Sequence, residues 1–183
     1  MKRVTIATIG NPNVGKTTVF NALTGSHQKV GNWPGVTVEK KTGKFVHEGY
    51  EIEVVDLPGV YGLTPYSIDQ KIAIKFIVNE RPDVIVDIVD ASNLERNLYL
   101  TLQLLEMGAR VVIALNMMDL AKEKGYEIDP KALEKALGTN VVPMVAVKGI
   151  GTDELKRAIL KTLKRTPPIK YPKYPKNEKY IEK

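Results

Sequence analysis

The chain has 183 residues, enough for one domain with a sizeable core. It contains no cysteine, which excludes disulfides, thiolate metal sites and cysteine nucleophiles and fits a reducing compartment. Its two histidines, His27 and His47, are far apart in sequence, so a histidine-rich metal site is not expected. We expect a soluble chain without a signal peptide, because Met1-Lys2-Arg3 leads directly into a strand and every apolar run is too short to cross a bilayer.

The net charge of +6 is concentrated at the carboxy terminus. Residues 161–183 contain eight Lys or Arg and two Glu, so residues 1–160 are balanced. Such a tail could approach RNA or anionic lipid, but we interpret it as a solvated connector. Because prolines and lysines accumulate after Thr166, we predict a compact domain over residues 1–165 and a linker-like tail over 166–183.

Apolar strand patterns alternate with amphipathic helical patterns along the chain. The predicted strands are Val4–Ile9, Lys44–Val46, Ile52–Val55, Val84–Val89, Val111–Leu115 and Val141–Val147. The predicted helices are Lys16–Leu23, Ile68–Asn79, Leu94–Met107, Pro130–Leu137 and Thr152–Leu163. This order indicates an α/β fold with a mostly parallel six-stranded sheet and helices on both faces. The hairpin at residues 44–55 supplies one antiparallel edge strand.

A glycine-rich loop is expected between the first strand and the first helix. Its sequence is Gly10-Asn11-Pro12-Asn13-Val14-Gly15-Lys16-Thr17, a complete match to the P-loop pattern. Glycines let the backbone wrap around phosphates, while loop amides and the helix amino terminus direct positive dipoles at them. We expect Lys16 to reach the β- and γ-phosphates and Thr17 to ligate Mg²⁺, and we include Thr18 in the predicted nucleotide site.

The choice of base is predicted from Asn116-Met117-Met118-Asp119, which follows the strand Val111–Leu115. The Asp119 carboxylate can accept hydrogen bonds from guanine N1 and N2, whereas adenine would leave it unpaired. Met117 can lie along the face of the base. In the segment Val145-Ala146-Val147 we expect the Ala146 amide to meet guanine O6.

Two further segments are expected to respond to the γ-phosphate. In Asp56-Leu57-Pro58-Gly59, Asp56 can hold the Mg²⁺ shell and the Gly59 amide can meet the phosphate. Between the P-loop and Asp56 lies the mobile-looking segment Gly31–Thr37. We choose Thr37 over Thr42 as its Mg²⁺ ligand, and we add Gly35 and Val36 to the predicted nucleotide site.

The residue after Gly59 is Val60, where many GTPases carry a glutamine that orients the attacking water. A valine cannot hydrogen-bond to water, so we expect slow hydrolysis. Our hypothesis is that Asn13 helps to place K⁺ beside the phosphates, where the cation would supply positive charge. The residues predicted to act in hydrolysis are therefore Lys16, Thr37, Gly59 and Asn13.

Several segments resemble the amino-terminal G domain of the ferrous iron transport protein B family. They are Val30–Glu39, Asp56–Tyr61, Asp90–Leu100 and Asn116–Asp119, and the resemblance extends from residue 4 to about residue 165. It implies a slow, often K⁺-stimulated GTPase domain at the cytoplasmic face of the membrane. In such proteins this domain is joined through a helical spacer to a membrane region for Fe²⁺ uptake and can self-associate. Tyr171–Lys183 resembles the beginning of that spacer.

Three other functions remain open at this point. The basic tail and Asn13 would suit an RNA- or ribosome-associated GTPase, although the balanced charge of residues 1–160 speaks against nucleic acid as a partner. Val60 would suit a nucleotide-binding module that switches conformation without hydrolysis. A P-loop kinase is disfavoured by Asp119.

Overall fold

A computed structural model describes residues 1–165, which form a seven-stranded sheet in the order β2-β3-β4-β1-β5-β6-β7. Strands β4, β1, β5, β6 and β7 are parallel, whereas at one edge β3 pairs antiparallel with β4 and β2 pairs antiparallel with β3. The strands are β1 Lys2–Gly10, β2 Gln28–Asn32, β3 Glu39–His47, β4 Tyr50–Asp56, β5 Val84–Asp90, β6 Val111–Asn116 and β7 Asn140–Pro143. The predicted tail, residues 166–183, lies outside the described residues.

Helices cover both faces of this sheet. They are α1 Lys16–Thr24, α2 Ile68–Glu80, α3 Leu94–Glu106, α4 Met118–Glu123, α5 Pro130–Leu137 and α6 Thr152–Leu163, with short 3₁₀ turns at Ala91–Asn93 and Ala146–Lys148. One apolar cluster joins the sheet to α1 and α6, and the other joins it to α2, α3 and α4. Strand β5 contributes to both clusters, which explains its nearly continuous apolar sequence.

Local sequence fixes several helix ends. Ser67 and Gln70 form a capping box at the start of α2. Asp129 accepts hydrogen bonds from two amides at the start of α5, and Gly138 ends that helix in the left-handed conformation, which glycine adopts without steric cost. These ends agree with the helix boundaries predicted from the sequence.

The predicted α/β fold class is confirmed, with two differences in the sheet. Strand β2 was not predicted because its sequence is polar and its residues are mostly exposed. The predicted strand Val141–Val147 ends at Pro143, since Val145 turns to exchange backbone hydrogen bonds with Ile150 and Ala146 begins a 3₁₀ turn. Within residues 1–165, no helix is long and apolar enough to cross a membrane.

Candidate nucleotide-binding site

The loop between β1 and α1 surrounds an open cavity at the carboxyl edge of the parallel strands. The cavity measures about 460 Å³ and is lined by Asn11, Pro12, Asn13, Gly15, Lys16, Thr17 and Gly59. Asn13 and Gly15 have positive φ angles, which turn the chain sharply around this space. No side chain in the described part of the chain caps the first turn of α1, which also lacks acidic residues. The helix therefore presents free amides and a positive dipole to the cavity.

Two glycines of this loop lie where no larger residue fits. A Cβ on Gly10 would stand 2.7 Å from the Ile88 carbonyl oxygen, and one on Gly15 would overlap the Asn116 side-chain amide. Gly59 approaches the loop from the other side, where an added Cβ would lie 3.3 Å from Pro12 Cα. Close backbone packing therefore requires the glycines that identified the loop in the sequence.

Lys16 and Asp56 form an ion pair at the edge of this cavity. The Lys16 Nζ to Asp56 Oδ1 distance is 2.7 Å, and both side chains are largely buried, at 13% and 12% exposure. The Thr8 hydroxyl donates to the same carboxylate oxygen, also at 2.7 Å. In this structure the two residues expected to serve phosphate and Mg²⁺ thus bind each other, while the Thr17 side chain is exposed at the cavity. Thr18, the next residue of α1, is half-buried.

The segment Asn32–Val38, which contains Thr37, is folded back on itself and attached to α2. The Trp33 amide donates to the Val38 carbonyl at 2.9 Å, and Gly35 takes a positive φ in the turn between them. The Trp33 ring is 7% exposed and meets Phe76 edge to face at 5.8 Å. Thr37 is exposed and, among the described residues, does not belong to the cavity lining. Its predicted approach to Mg²⁺ requires this segment to move.

The segment 59–66 is attached on both sides. The Val60 amide donates to the Gly10 carbonyl at 3.0 Å, and the Val60 side chain is buried at 3% exposure. The Leu63 amide donates to Gln103 Oε1 on α3 at 2.7 Å. Arg96 stacks over the Tyr61 ring at 4.2 Å. Sequence reasoning missed Gln103 and Arg96, because nothing in the pattern of α3 separates them from ordinary helix-surface residues.

Asn116 connects the phosphate loop with the predicted base site. Its Nδ2 donates to the Val14 carbonyl at 3.0 Å, and its Oδ1 accepts from the Ala146 amide at 3.0 Å. The side chain is 3% exposed, so both hydrogen bonds satisfy buried groups. The Ala146 amide, which we expected to face guanine O6, is therefore engaged with Asn116 in this structure.

The remaining residues of the predicted base site surround Asn116. Met117 has a positive φ of 60° and precedes α4, which carries the half-buried Asp119 in its first turn. Val145 is buried, whereas Val147 is 78% exposed. The carboxyl ends of β1, β4, β5 and β6 thus bring together segments that are more than 100 residues apart in sequence.

The residues of this site could bind Mg²⁺ only together with the phosphate groups of a nucleotide, because they do not form a complete set of metal ligands by themselves. The part of the chain that the structure describes has no cluster of three His, Asp or Glu side chains able to hold a metal. One carboxylate and hydroxyl groups beside a phosphate-binding loop are the donor set that Mg²⁺ uses with nucleotides, since it retains waters and takes phosphate oxygens as ligands.

Comparisons with known proteins agree with this geometry. The family model described as ferrous iron transport protein B matches residues 4–159. The Fe(2+) transporter FeoB of Salmonella typhimurium is 53% identical over 163 residues, which is 87% of this chain and 21% of that protein. The chain therefore spans about a fifth of the length of the curated relatives that it matches.

Two solved structures allow the fold to be compared directly. The FeoB G domain of Methanococcus jannaschii is 57% identical, with a TM-score of 0.81 over 90% of this chain and 100% of that one. The cytosolic domain of Thermotoga maritima FeoB in its GMPPNP form is 46% identical, with a TM-score of 0.86 over 90% of this chain and 65% of that one.

Proposed function

Because this chain belongs to the ferrous iron transport protein B family, we propose that it is a guanine-nucleotide-binding domain that hydrolyses GTP slowly. One observation carries the proposal: the phosphate loop and Gly59 line a preformed cavity at one edge of the sheet, and Asp56 and the Asn116–Asp119 segment lie at the same edge. The GMPPNP and GDP forms of the Thermotoga maritima relative support guanine nucleotides as ligands.

Phosphate binding would use groups that are already directed at the cavity. The amides of the loop and of the first turn of α1 would donate to the β- and γ-phosphate oxygens. Lys16 would exchange its 2.7 Å contact with Asp56 for the phosphates, and this exchange frees the Asp56 carboxylate. Since both side chains are largely buried, an unpaired charge on either would be costly, so Lys16 would need the phosphates and Asp56 would need the Mg²⁺ shell as new partners.

Magnesium would be held by Thr17, by Thr37 and by Asp56 acting through the metal's shell, and it would supply positive charge to the phosphates. Closing residues 31–38 would bring Thr37 to the nucleotide, and closing residues 59–66 would bring the Gly59 amide to the γ-phosphate. Release of the γ-phosphate would return both segments to the positions seen in this structure. This is the proposed switch.

Hydrolysis would be slow because Val60 is buried and cannot orient water. Asn13 lines the cavity and is exposed, so its side chain would be available to a cation beside the phosphates. We assign K⁺ to this position, where it would supply the positive charge that an arginine gives in other GTPases.

Base recognition would rest on Asp119, with Met117 along the base and the Val145–Val147 segment near O6. A substitution that changes the preferred base tests this proposal directly. In xanthine an oxygen replaces the 2-amino group of guanine, so an amide side chain that donates hydrogen bonds fits it better than a carboxylate. Calorimetric titration of the wild type should show GDP binding and no ADP binding, and Asp119→Asn should favour XDP over GDP. Equal binding of GDP and ADP by the wild type would reject the proposal.

In the whole protein this domain would regulate a membrane ferrous iron transporter from the cytoplasmic face. The relatives are about four times as long as this chain, so the remainder of the polypeptide is the proposed partner. We propose residues 1–165 as the G domain and residues 166–183 as the start of a connector to a helical spacer. The domain would be able to self-associate, and we propose no role for nucleic acid.

A further inference from the structure

The connection between β5 and α3 contains polar residues to which the proposed function gives no role. Asp90 Oδ1 accepts hydrogen bonds from the amide and the hydroxyl of Ser92, at 2.8 and 2.7 Å. The Asp90 amide donates to Asn97 Oδ1 at 3.2 Å, and Asn97 Nδ2 donates to the Asn93 carbonyl at 2.8 Å. We call Asp90, Ser92, Asn93 and Asn97 the Asp90–Asn97 network. They fix the 3₁₀ turn Ala91–Asn93 between the strand and the helix.

This network is more than the connection itself requires. Asp90 alone satisfies the first amide of the turn. Asn97 is only 4% exposed, and a buried amide is costly unless both its donor and its acceptor are paired, as they are here. Through these two bonds the Asn97 side chain ties the Asp90 amide at the end of β5 and the Asn93 carbonyl to the first turn of α3. The extra polar pairing therefore specifies one position of the turn rather than merely connecting two elements.

The turn lies beside the predicted base site. Asp90 pairs in register with Asn116, the last residue of the neighbouring strand β6. The next element after Asn116 is α4, which packs directly on the turn. Ala121, the buried residue of α4, and Ala91 of the turn are each 1% exposed and belong to the same apolar cluster.

Helix α4 depends on this support because it has only six residues. A helix of that length is not stable alone, so its packing sets its position. A second anchor is the Met118 amide, which donates to the Met144 carbonyl at 3.2 Å. Asp119 lies in the first turn of α4, and any displacement of the helix moves its carboxylate.

We infer that the Asp90–Asn97 network is a positioning element for base specificity, which holds α4 so that Asp119 meets both N1 and N2 of guanine. This inference rests on the proposed function and adds residues to it that do not touch the nucleotide. Two hydrogen bonds to one carboxylate require alignment of the helix with the base, and a misplacement of about 1 Å is enough to weaken them.

The affinity ratio between GDP and IDP isolates this effect. IDP lacks the 2-amino group, so it keeps the N1 hydrogen bond to Asp119 and loses the other one. A hydrogen bond to a charged group corresponds to about a tenfold or larger preference for GDP in the wild type. A displaced carboxylate reduces that preference, whereas a general loss of stability leaves it unchanged.

The test uses calorimetric titration of the full chain with GDP and IDP at fixed Mg²⁺. Asn97→Ala should lower the GDP/IDP affinity ratio by about threefold or more, mainly through weaker GDP binding. Ser92→Ala, which removes one hydroxyl, should shift the ratio in the same direction by a smaller factor and carries the test if Asn97→Ala does not fold. The matched control is Leu104→Ala, a core truncation in the same helix that should lower Tm and leave the ratio unchanged.

Two results would overturn the inference. One is an unchanged ratio in both Asn97→Ala and Ser92→Ala, which would make the network purely structural. The other is an equal fall of the ratio in Leu104→Ala, which would make the effect a general loosening of α3. Failure of the wild type to bind GDP would instead reject the proposed function, so the two failures are distinguishable.

Discussion

The fixed part of the site and the two segments proposed to switch are held in different ways. The fixed part, residues 10–18 and 116–119, is tied by backbone packing at glycines and by Asn116, whose two hydrogen bonds are buried. The two segments proposed to switch, residues 31–38 and 59–66, are attached to α2 and α3 through side chains, namely Trp33 on Phe76, Gln103 on Leu63, Gln70 on Gly62 and Thr64, and Arg96 on Tyr61. Residues 59–66 are also attached to the phosphate loop through the backbone bond from Val60 to Gly10. Breaking the fixed part exposes unpaired polar groups, whereas each attachment of a switch segment can be exchanged singly.

The largest expected effect lies in the sheet beneath the fixed part. Asp87 is buried in the middle of β5, and burial raises the pKa of its carboxyl to about 7, with the hydrogen bond from Thr101 opposing this shift. The folded protein therefore keeps a proton that the unfolded chain releases near pH 3.8, and stability falls as the pH rises from that value to about 7. Over this pH range the free energy of unfolding falls by about 4 kcal/mol.

Asp87→Asn removes this pH dependence because an amide does not ionise. We expect urea unfolding to give a free energy of unfolding for each protein at pH 5.5 and at pH 8. The difference between Asp87→Asn and the wild type should shift in favour of the variant by about 2 kcal/mol from the lower to the higher pH. Glu53→Gln, at an exposed position of β4, is the control and should show no such shift. A gain that is the same at both pH values would contradict the assignment.

Asn116→Ala should break the fixed part itself. It leaves the Val14 carbonyl and the Ala146 amide unpaired, which costs about 2–4 kcal/mol and should weaken GDP binding by about 100-fold in calorimetry. The matched control is Asn140→Ala. Asn140 is also buried, and its side chain donates to Thr162. It lies at the amino end of β7, whereas Asn116 lies at the carboxyl end of β6. Asn140→Ala should lower Tm without changing GDP affinity, and equal losses of affinity in both variants would refute the special role of Asn116.

The sequence predicts those features of the site that local patterns determine, and it does not predict contacts between residues far apart in the chain. The phosphate loop and the segment 116–119 were predicted because local glycine and strand-end patterns describe them, and the structure brings them together at one edge of the sheet. Asp56 was placed correctly at the end of β4, but its ion pair with Lys16 spans 40 residues and has no sequence signal. Their roles toward nucleotide and metal stay predictions.

The two segments proposed to switch were chosen from the sequence, and their role as switches stays a prediction, but their attachments were not predicted. The contact of Trp33 with Phe76 and the hydrogen bond of Gln103 to Leu63 join distant elements, and neither partner follows a local pattern. Strand β2 was missed for a related reason, because its pairing with β3 compensates for a polar sequence. Tertiary pairing determines these features, so periodicity alone cannot predict them.

Gln103→Ala should loosen only the second of these segments, residues 59–66, which stays attached through Val60 and Gln70. Loss of one partly buried hydrogen bond to the Leu63 amide costs about 1 kcal/mol, so amide hydrogens of residues 61–66 should exchange about fivefold faster. GDP affinity should change less than about twofold, because the fixed part is intact. Leu102→Ala, an exposed neighbour on α3, serves as the control. Unchanged exchange in Gln103→Ala would show that Gln103 does not hold the segment.

The smallest expected effect is optical. Trp33 is the single tryptophan of the chain and is 7% exposed, so its emission reports on the first switch segment alone. Mg²⁺ with a non-hydrolysable GTP analogue should shift the emission to longer wavelength as Trp33 leaves Phe76, whereas Mg²⁺ with GDP should not. Trp33→Phe provides the blank. Equal spectra in both nucleotide states would mean that this segment stays attached to α2.

The central claim, a slow cation-assisted GTPase, is tested most directly by turnover of the purified chain with Mg²⁺, in KCl and again in NaCl. We predict slow GTP hydrolysis that is faster in KCl, no ATP hydrolysis, and loss of the KCl effect in Asn13→Ala. Tight GTP binding without turnover in either salt, or KCl-stimulated turnover that persists in Asn13→Ala, would contradict the account of hydrolysis.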